Sequence, residues 1–119
     1  MPGPAKPTGR NRHYEVLLAE GAGQDLESLY DYIAEFDCVA NATHVLDELM
    51  KVVTGLSRFP ERGSYPRELI SLGIREYRQA VFRSYRVIYR VMEAKVIIYV
   101  IVDGRRDMQS LLARRLLGW

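Results

Sequence analysis

Arginine is the residue whose spacing in this chain most readily supports chemistry. Across residues 76–90, "EYRQAVFRSYRVIYR", three arginines directly follow a tyrosine: Tyr77-Arg78, Tyr85-Arg86 and Tyr89-Arg90. A guanidinium is a planar, permanently charged fork that fits the oxygens of a phosphate or a carboxylate. Tyrosine adds a flat face for stacking and a phenol for hydrogen bonding. Such a surface can hold RNA, and arginines around a scissile phosphate can stabilise its transition state. It can equally clamp an acidic protein segment, or serve only to pair with acids on helices while the tyrosines pack. A second basic group, Arg105-Arg106, stands in "DGRRD" at 103–107.

Other chemistries find little footing. His13 and His44 fall on separate segments with no Cys or His at a ligand spacing, so a metal site is not expected. Gly21 and Gly23 lack the following Lys-Ser/Thr of a phosphate loop, and no nucleophile elbow occurs. A catalytic cysteine needs a nearby base, and Cys38, placed in what reads as an interhelical turn, is taken as a small buried or half-exposed residue. The carboxylates crowd the first half of the chain, where solvated helix faces account for them. No cofactor is implied.

The 119 residues, 48% hydrophobic and 27% charged, fit one domain with a modest core. The net charge of +2 hides a division. Residues 1–57 hold four Lys or Arg against nine Asp or Glu, a net −5, and residues 58–119 hold thirteen against six, a net +7. The basic half calls for an acidic partner or a solvated surface. "MPGPAKPTGRNR" has three prolines in its first seven residues and no apolar stretch, so 1–12 reads as a disordered arm and not as a secretory signal. No apolar run reaches the roughly 20 residues that span a bilayer. A lone cysteine without an export signal points to the cytoplasm.

Residues 13–119 then supply the elements that must position these arginines. His13–Ala19 reads as a first strand, broken by "GAGQ". From Asp25, Leu26, Leu29, Tyr30 and Ile33 recur at helical spacing, and a second helix carries Val45, Leu46, Leu49, Val52, Val53 and Leu56. Their short connection makes an αα-hairpin. "RFPERGSYP" at 58–66 is a loop. Strands follow at Arg75–Phe82, Tyr85–Met92 and Lys95–Val102, joined by Arg83-Ser84 and Glu93-Ala94, and a terminal helix at Met108–Leu117. The order is β-α-α-β-β-β-α, an α+β domain with helices on one face of a mainly antiparallel sheet. If Phe82 pairs with Tyr85, then Arg78 and Tyr89 share the helix-covered side. Arg86 and Arg90 then lie on the other, which reads as a half-polar surface.

With these motifs on view, the chain resembles the ParE/RelE toxins of type II toxin–antitoxin systems, the plasmid stabilisation proteins. The resemblance runs over about residues 13–117 and rests on the "L..FP..G" exit from the second helix, the "YRVIYRV" strand and the strand-final "GRRD". It implies the same order of elements, with the helical hairpin against a small antiparallel sheet. RelE-like members cut mRNA on the ribosome with a basic cluster and often a C-terminal tyrosine, whereas ParE-like members poison DNA gyrase. Carried over, the RelE pattern places arginines at Arg86 and Arg106. Its basic pair on the preceding strand is half present, with Arg78 matching and the second position near Gln79 or Ala80. Its tyrosine falls at Leu112, which cannot carry a proton. Many relatives have histidine where this chain has Asp103.

The resemblance therefore implies a ParE-like toxin that inhibits DNA gyrase with no chemistry of its own. Its expected partners are gyrase and a cognate ParD-like ribbon-helix-helix antitoxin. Residues expected at the partner surface are Arg86, Arg90, Arg105 and Arg106, with Tyr89 and Arg75 behind them. The alternative is a ribosome-dependent endoribonuclease, in which Arg86 and Arg106 hold the scissile phosphate of mRNA and Arg78 stabilises developing charge.

Overall fold

A computed structural model describes residues 13–119; the arm read at 1–12 lies outside them. The elements are β1 (Glu15–Leu18), α1 (Glu20–Phe36), α2 (Val39–Gly55), α3 (Arg67–Ile70), β2 (Tyr77–Phe82), β3 (Tyr85–Met92), β4 (Lys95–Asp103) and α4 (Met108–Leu117). The expected order holds, with α3 as an added single turn in the stretch before β2. β2 itself starts at Tyr77, so Arg75 precedes it.

α1 begins at Glu20, five residues before the expected start, because Ala19 alone links it to β1. Ala19 is extended and its N–H donates to the Ile98 carbonyl, which fixes where the chain must turn. "GAGQ" is therefore helical. Ala22 is fully buried in the core, and tertiary packing outweighs a glycine penalty of about 1 kcal/mol. Cys38 is exposed and caps α2, its Sγ accepting the Asn41 N–H at 3.4 Å. α1 and α2, joined only by Asp37 and Cys38, fold back on each other as the expected hairpin.

The sheet order is β1-β4-β3-β2, with β1 parallel to β4 and the other pairs antiparallel. The β2–β3 register is the expected one, with Phe82 opposite Tyr85 and Arg78 opposite Tyr89. Both tight turns place their first residue at positive φ, Arg83 at 54° and Glu93 at 56°, as a type II′ turn does. Tyr99 is an extra residue on β4: Ile98 pairs with Tyr89 and Val100 with Ile88. This bulge inverts the alternation of β4. Val96 and Ile98 face the helical hairpin before it, as Ile101 does after it, whereas Val100 and Val102 face the opposite way.

The sheet is covered on both faces, which corrects the expectation of helices on one face only. The hairpin packs on Val87, Tyr89, Val96, Ile98 and Ile101. On the other face, expected to be a half-polar surface, α3 and α4 cover Ile88, Val100 and Val102 with Leu69, Met108, Leu111 and Leu112. The spacing of the three α4 residues forms one apolar stripe, and burying that stripe is what draws α4 onto the sheet.

Candidate partner-binding site

Because strand residues alternate, each Tyr-Arg dipeptide sends its two side chains to opposite faces. On the hairpin face, Tyr89 and Arg78 grip the loop that leaves α2. Tyr89 is fully buried; its hydroxyl donates to the Pro60 carbonyl at 2.6 Å and accepts the Gly63 N–H at 3.2 Å. Burial pushes its phenol pKa above the ordinary value. Arg78 donates to the carbonyls of Glu61 (3.3 Å) and Gly63 (2.9 Å) and to the Tyr65 hydroxyl (3.0 Å), and lies over the Tyr65 ring. A Cβ at Gly63 would collide with the Gln79 carbonyl and the Tyr89 hydroxyl. The "FP..G" motif is thus the half of a clasp whose other half is on β2 and β3. Tyr89, expected at the partner surface, is instead a core residue, since its hydroxyl needs the loop and not a partner.

On the opposite face Arg86 meets Glu68 of α3 in a two-pronged pair, both bonds at 2.9 Å, while its Nε donates to Gln79 Oε1 at 2.7 Å. The two side chains are 14% and 16% exposed. The Arg86 fork holds the Glu68 carboxyl below the usual carboxylate range. A Cβ at Gly104 would lie 2.5 Å from Arg86 Cδ, so the glycine of "GRRD" is the gap through which that side chain passes. Arg86, expected to lean on an external acid, has its acid inside the protein. Arg90 is half-buried over the Tyr77 ring, 6.0 Å from its centroid, and Tyr77 meets Tyr99 edge-on. Arg75 is exposed beside Tyr65.

The turn after β4 divides its charges. Asp103 Oδ1 accepts the Arg105 N–H at 2.9 Å, and its carboxylate also takes the Arg105 guanidinium, with Nη2 at 2.6 Å from Oδ2. That contact lowers the Asp103 pKa. Asp107 caps α4 by accepting the Ser110 N–H. Arg106 is exposed and, among the described residues, its side chain makes no hydrogen bond or ion pair. Beside it a cleft of about 540 Å³ opens between α1 and the end of β4, lined by Leu29, Tyr32, Ile33, Tyr85 and Asp103. Tyr32 and Phe36, both exposed, pack with ring centroids 4.8 Å apart and planes tilted by 43° where α1 runs on from it.

One pair escaped the sequence reading. Asp25 of α1 and Arg115 of α4 form two bonds at 2.9 and 3.0 Å. Asp25 also accepts the Ile101 N–H, and Arg115 donates to the Tyr99 carbonyl. β1 pairs only with Lys95–Ile98, so these side chains satisfy β4 where its neighbour has ended. A Cβ at Gly21 would lie 2.6 Å from Arg115 Nη2, so a larger residue in the first turn of α1 would have to push that guanidinium nitrogen away from Asp25. Ninety positions apart, the two charges left no local signal.

With this geometry in hand, the comparisons with known proteins read consistently. The chromosomal ParDE system from P. aeruginosa contains a chain that superposes with TM-score 0.65 at 14% identity, covering 81% of this chain and 98% of that one. The toxin–antitoxin complex RelBE2 from Mycobacterium tuberculosis contains one with TM-score 0.58 at 23% identity, covering 77% and 92%. Sequence comparison with curated proteins finds no match. The sequence profile described as "ParE toxin of type II toxin-antitoxin system, parDE" matches residues 16–108, which span both halves of the loop clasp and the "GRRD" turn: the chain belongs to the ParE toxin family.

Proposed function

We propose that this toxin inhibits DNA gyrase by binding, without bond-making chemistry of its own, and is neutralised by a cognate ParD-like antitoxin. The observation that carries this reading is the fate of the arginines that a ribonuclease would use. Arg86 is held by Glu68 and Arg78 by the carbonyls of the loop. Leu112, where a tyrosine would carry a proton, is fully buried on the face of α4 that packs on the sheet. Among the described residues the Arg106 side chain has no partner, and one such arginine at the mouth of the cleft suits a recognition contact better than the arginine cluster of a ribonuclease.

The same surface supports the antitoxin. An acidic segment with apolar side chains would place them on Leu29, Ile33 and Tyr85 in the cleft and its carboxylates toward Arg106. The deciding experiment is cell-free. Purified toxin should trap gyrase–DNA cleavage complexes or block supercoiling, and should leave ribosome-bound mRNA intact. Cleavage of the mRNA with gyrase untouched would instead establish the endoribonuclease.

A further inference from the structure

α4 is shorter than the sheet it packs on. Its ten residues make about 15 Å of helix, while the nine of β4 run about 30 Å. It covers Ile88, Val100 and Val102, so the first residues of β4 lie beyond its end. There, strand pairing lines up Leu17, Ile97, Arg90 and Tyr77 in one row across all four strands. Glu15, Lys95 and Met92 form the next row. Leu17 and Met92 are 37% and 39% exposed, and among the described residues Leu17, Ile97 and Met92 belong to neither core. Arg90 leans over the Tyr77 ring, and among the described residues no carboxylate pairs with it.

We infer that this open half of the second face docks an amphipathic segment of gyrase, with apolar side chains on Leu17, Ile97 and Met92 and a carboxylate on Arg90. The inference rests on the gyrase reading above. A half-buried guanidinium without an acid gives up hydration and recovers only its contacts with Tyr77. A partner's carboxylate would offset that loss with two parallel hydrogen bonds, and Lys95 in the next row adds to the attraction. The patch is about 14 Å wide and about 15 Å long, room for a short helix or strand and not for a domain. It is also separate from the antitoxin's cleft. Ile97 and Asp103 stand about 20 Å apart along β4, and the cleft opens on the hairpin side of the sheet.

The test measures the affinity of the full chain for purified gyrase and, in parallel, for the cognate antitoxin. Leu17→Glu and Arg90→Glu should each weaken gyrase binding at least about tenfold and leave antitoxin binding within about twofold. Lys51→Glu makes the same charge change as Arg90→Glu on the exposed side of α2 and should bind both partners as wild type does. If Lys51→Glu matches Arg90→Glu, net charge is responsible and the face is not. The inference is also overturned if either face variant binds gyrase like wild type, or if antitoxin binding falls with it. Should Arg90→Glu fail to fold, Arg90→Gln removes the charge and, beside Leu17→Glu, makes the same comparison. Wild type that binds no gyrase refutes the gyrase reading and this assignment with it. Wild type that binds gyrase no better than the face variants refutes the face alone.

Discussion

Gly63 and Gly104 say little as isolated letters, yet each is the space that a side chain of β3 needs. Gly63 clears the Tyr89 hydroxyl and Gly104 clears the Arg86 stem. Gly63→Ala should therefore lower stability by about 1–3 kcal/mol, the usual range for forcing extra atoms into a packed site. Gly23, whose Cβ would meet nothing within 4 Å, should gain up to about 1 kcal/mol on replacement by Ala. Urea midpoints of the two variants should move in opposite directions; a shared direction refutes the spatial argument. Tyr89→Phe leaves the Pro60 carbonyl and the Gly63 N–H without their partner and should cost about 1–3 kcal/mol. Because burial raises the Tyr89 pKa from 10.0, its neutral phenol contributes stability that is complete below pH 10 and fades as pH rises through the folded value. That alkaline loss should be smaller in the phenylalanine variant.

Among the elements, α3 matters beyond its four residues because it carries Glu68 to Arg86 while Leu69 anchors it. The Glu68 pKa is depressed in the folded protein from 4.5, first by its hydrogen bonds to Arg86. The stability linked to this group is thus fully present above pH 4.5 and is lost as pH falls through the lower folded value. Chemical denaturation from pH 7 to pH 3 should show a decline that Glu68→Gln flattens. An unchanged slope would mean the pair is not coupled to folding. Removing one partner of so enclosed a pair should cost about 3 kcal/mol at neutral pH. The tight turns offer the opposite sign. Glu93 adopts φ 56° at the turn position that glycine prefers, so Glu93→Gly should stabilise by about 1 kcal/mol. A thermal midpoint that fell would show that Glu93 has a contact outweighing its backbone conformation.

The whole molecule is a sheet between two helical layers, joined past the end of β1 by Asp25 and Arg115. Single changes Asp25→Asn and Arg115→Gln should each destabilise, and the double variant should cost less than their sum, since both remove one shared clamp. Strict additivity in a double-mutant cycle would deny the coupling between α1 and α4. The charge division also belongs to this scale. Most of the basic half's functional candidates are absorbed into the scaffold, leaving Arg106 at the cleft mouth. Arg106→Glu should leave the unfolding midpoint within error and weaken antitoxin binding tenfold or more, chiefly by an opposed charge. Calorimetry with the cognate antitoxin measures this, and unchanged affinity would move the recognition surface elsewhere.

The sequence by itself determined the order of the elements, the β2–β3 register and the family, because each rests on local information. Apolar periodicity, two-residue turns and contiguous motifs are all written within a few residues of one another. The same sequence misplaced the start of α1, since the glycines that look like a break are excused by Arg115 and by buried Ala22. Alternation left Arg86 on an open half-polar face because it tells which residues share a face, not what covers that face; it put Tyr89 on the helix-covered side, where it is, and only the resemblance set Tyr89 behind the partner surface. Only the tertiary structure decided that α3 and α4 close the second face, that Glu68 meets Arg86, and that Asp25 meets Arg115. Those outcomes depend on burying one apolar stripe of α4 and on pairing charges 18 and 90 residues apart, which no local pattern encodes.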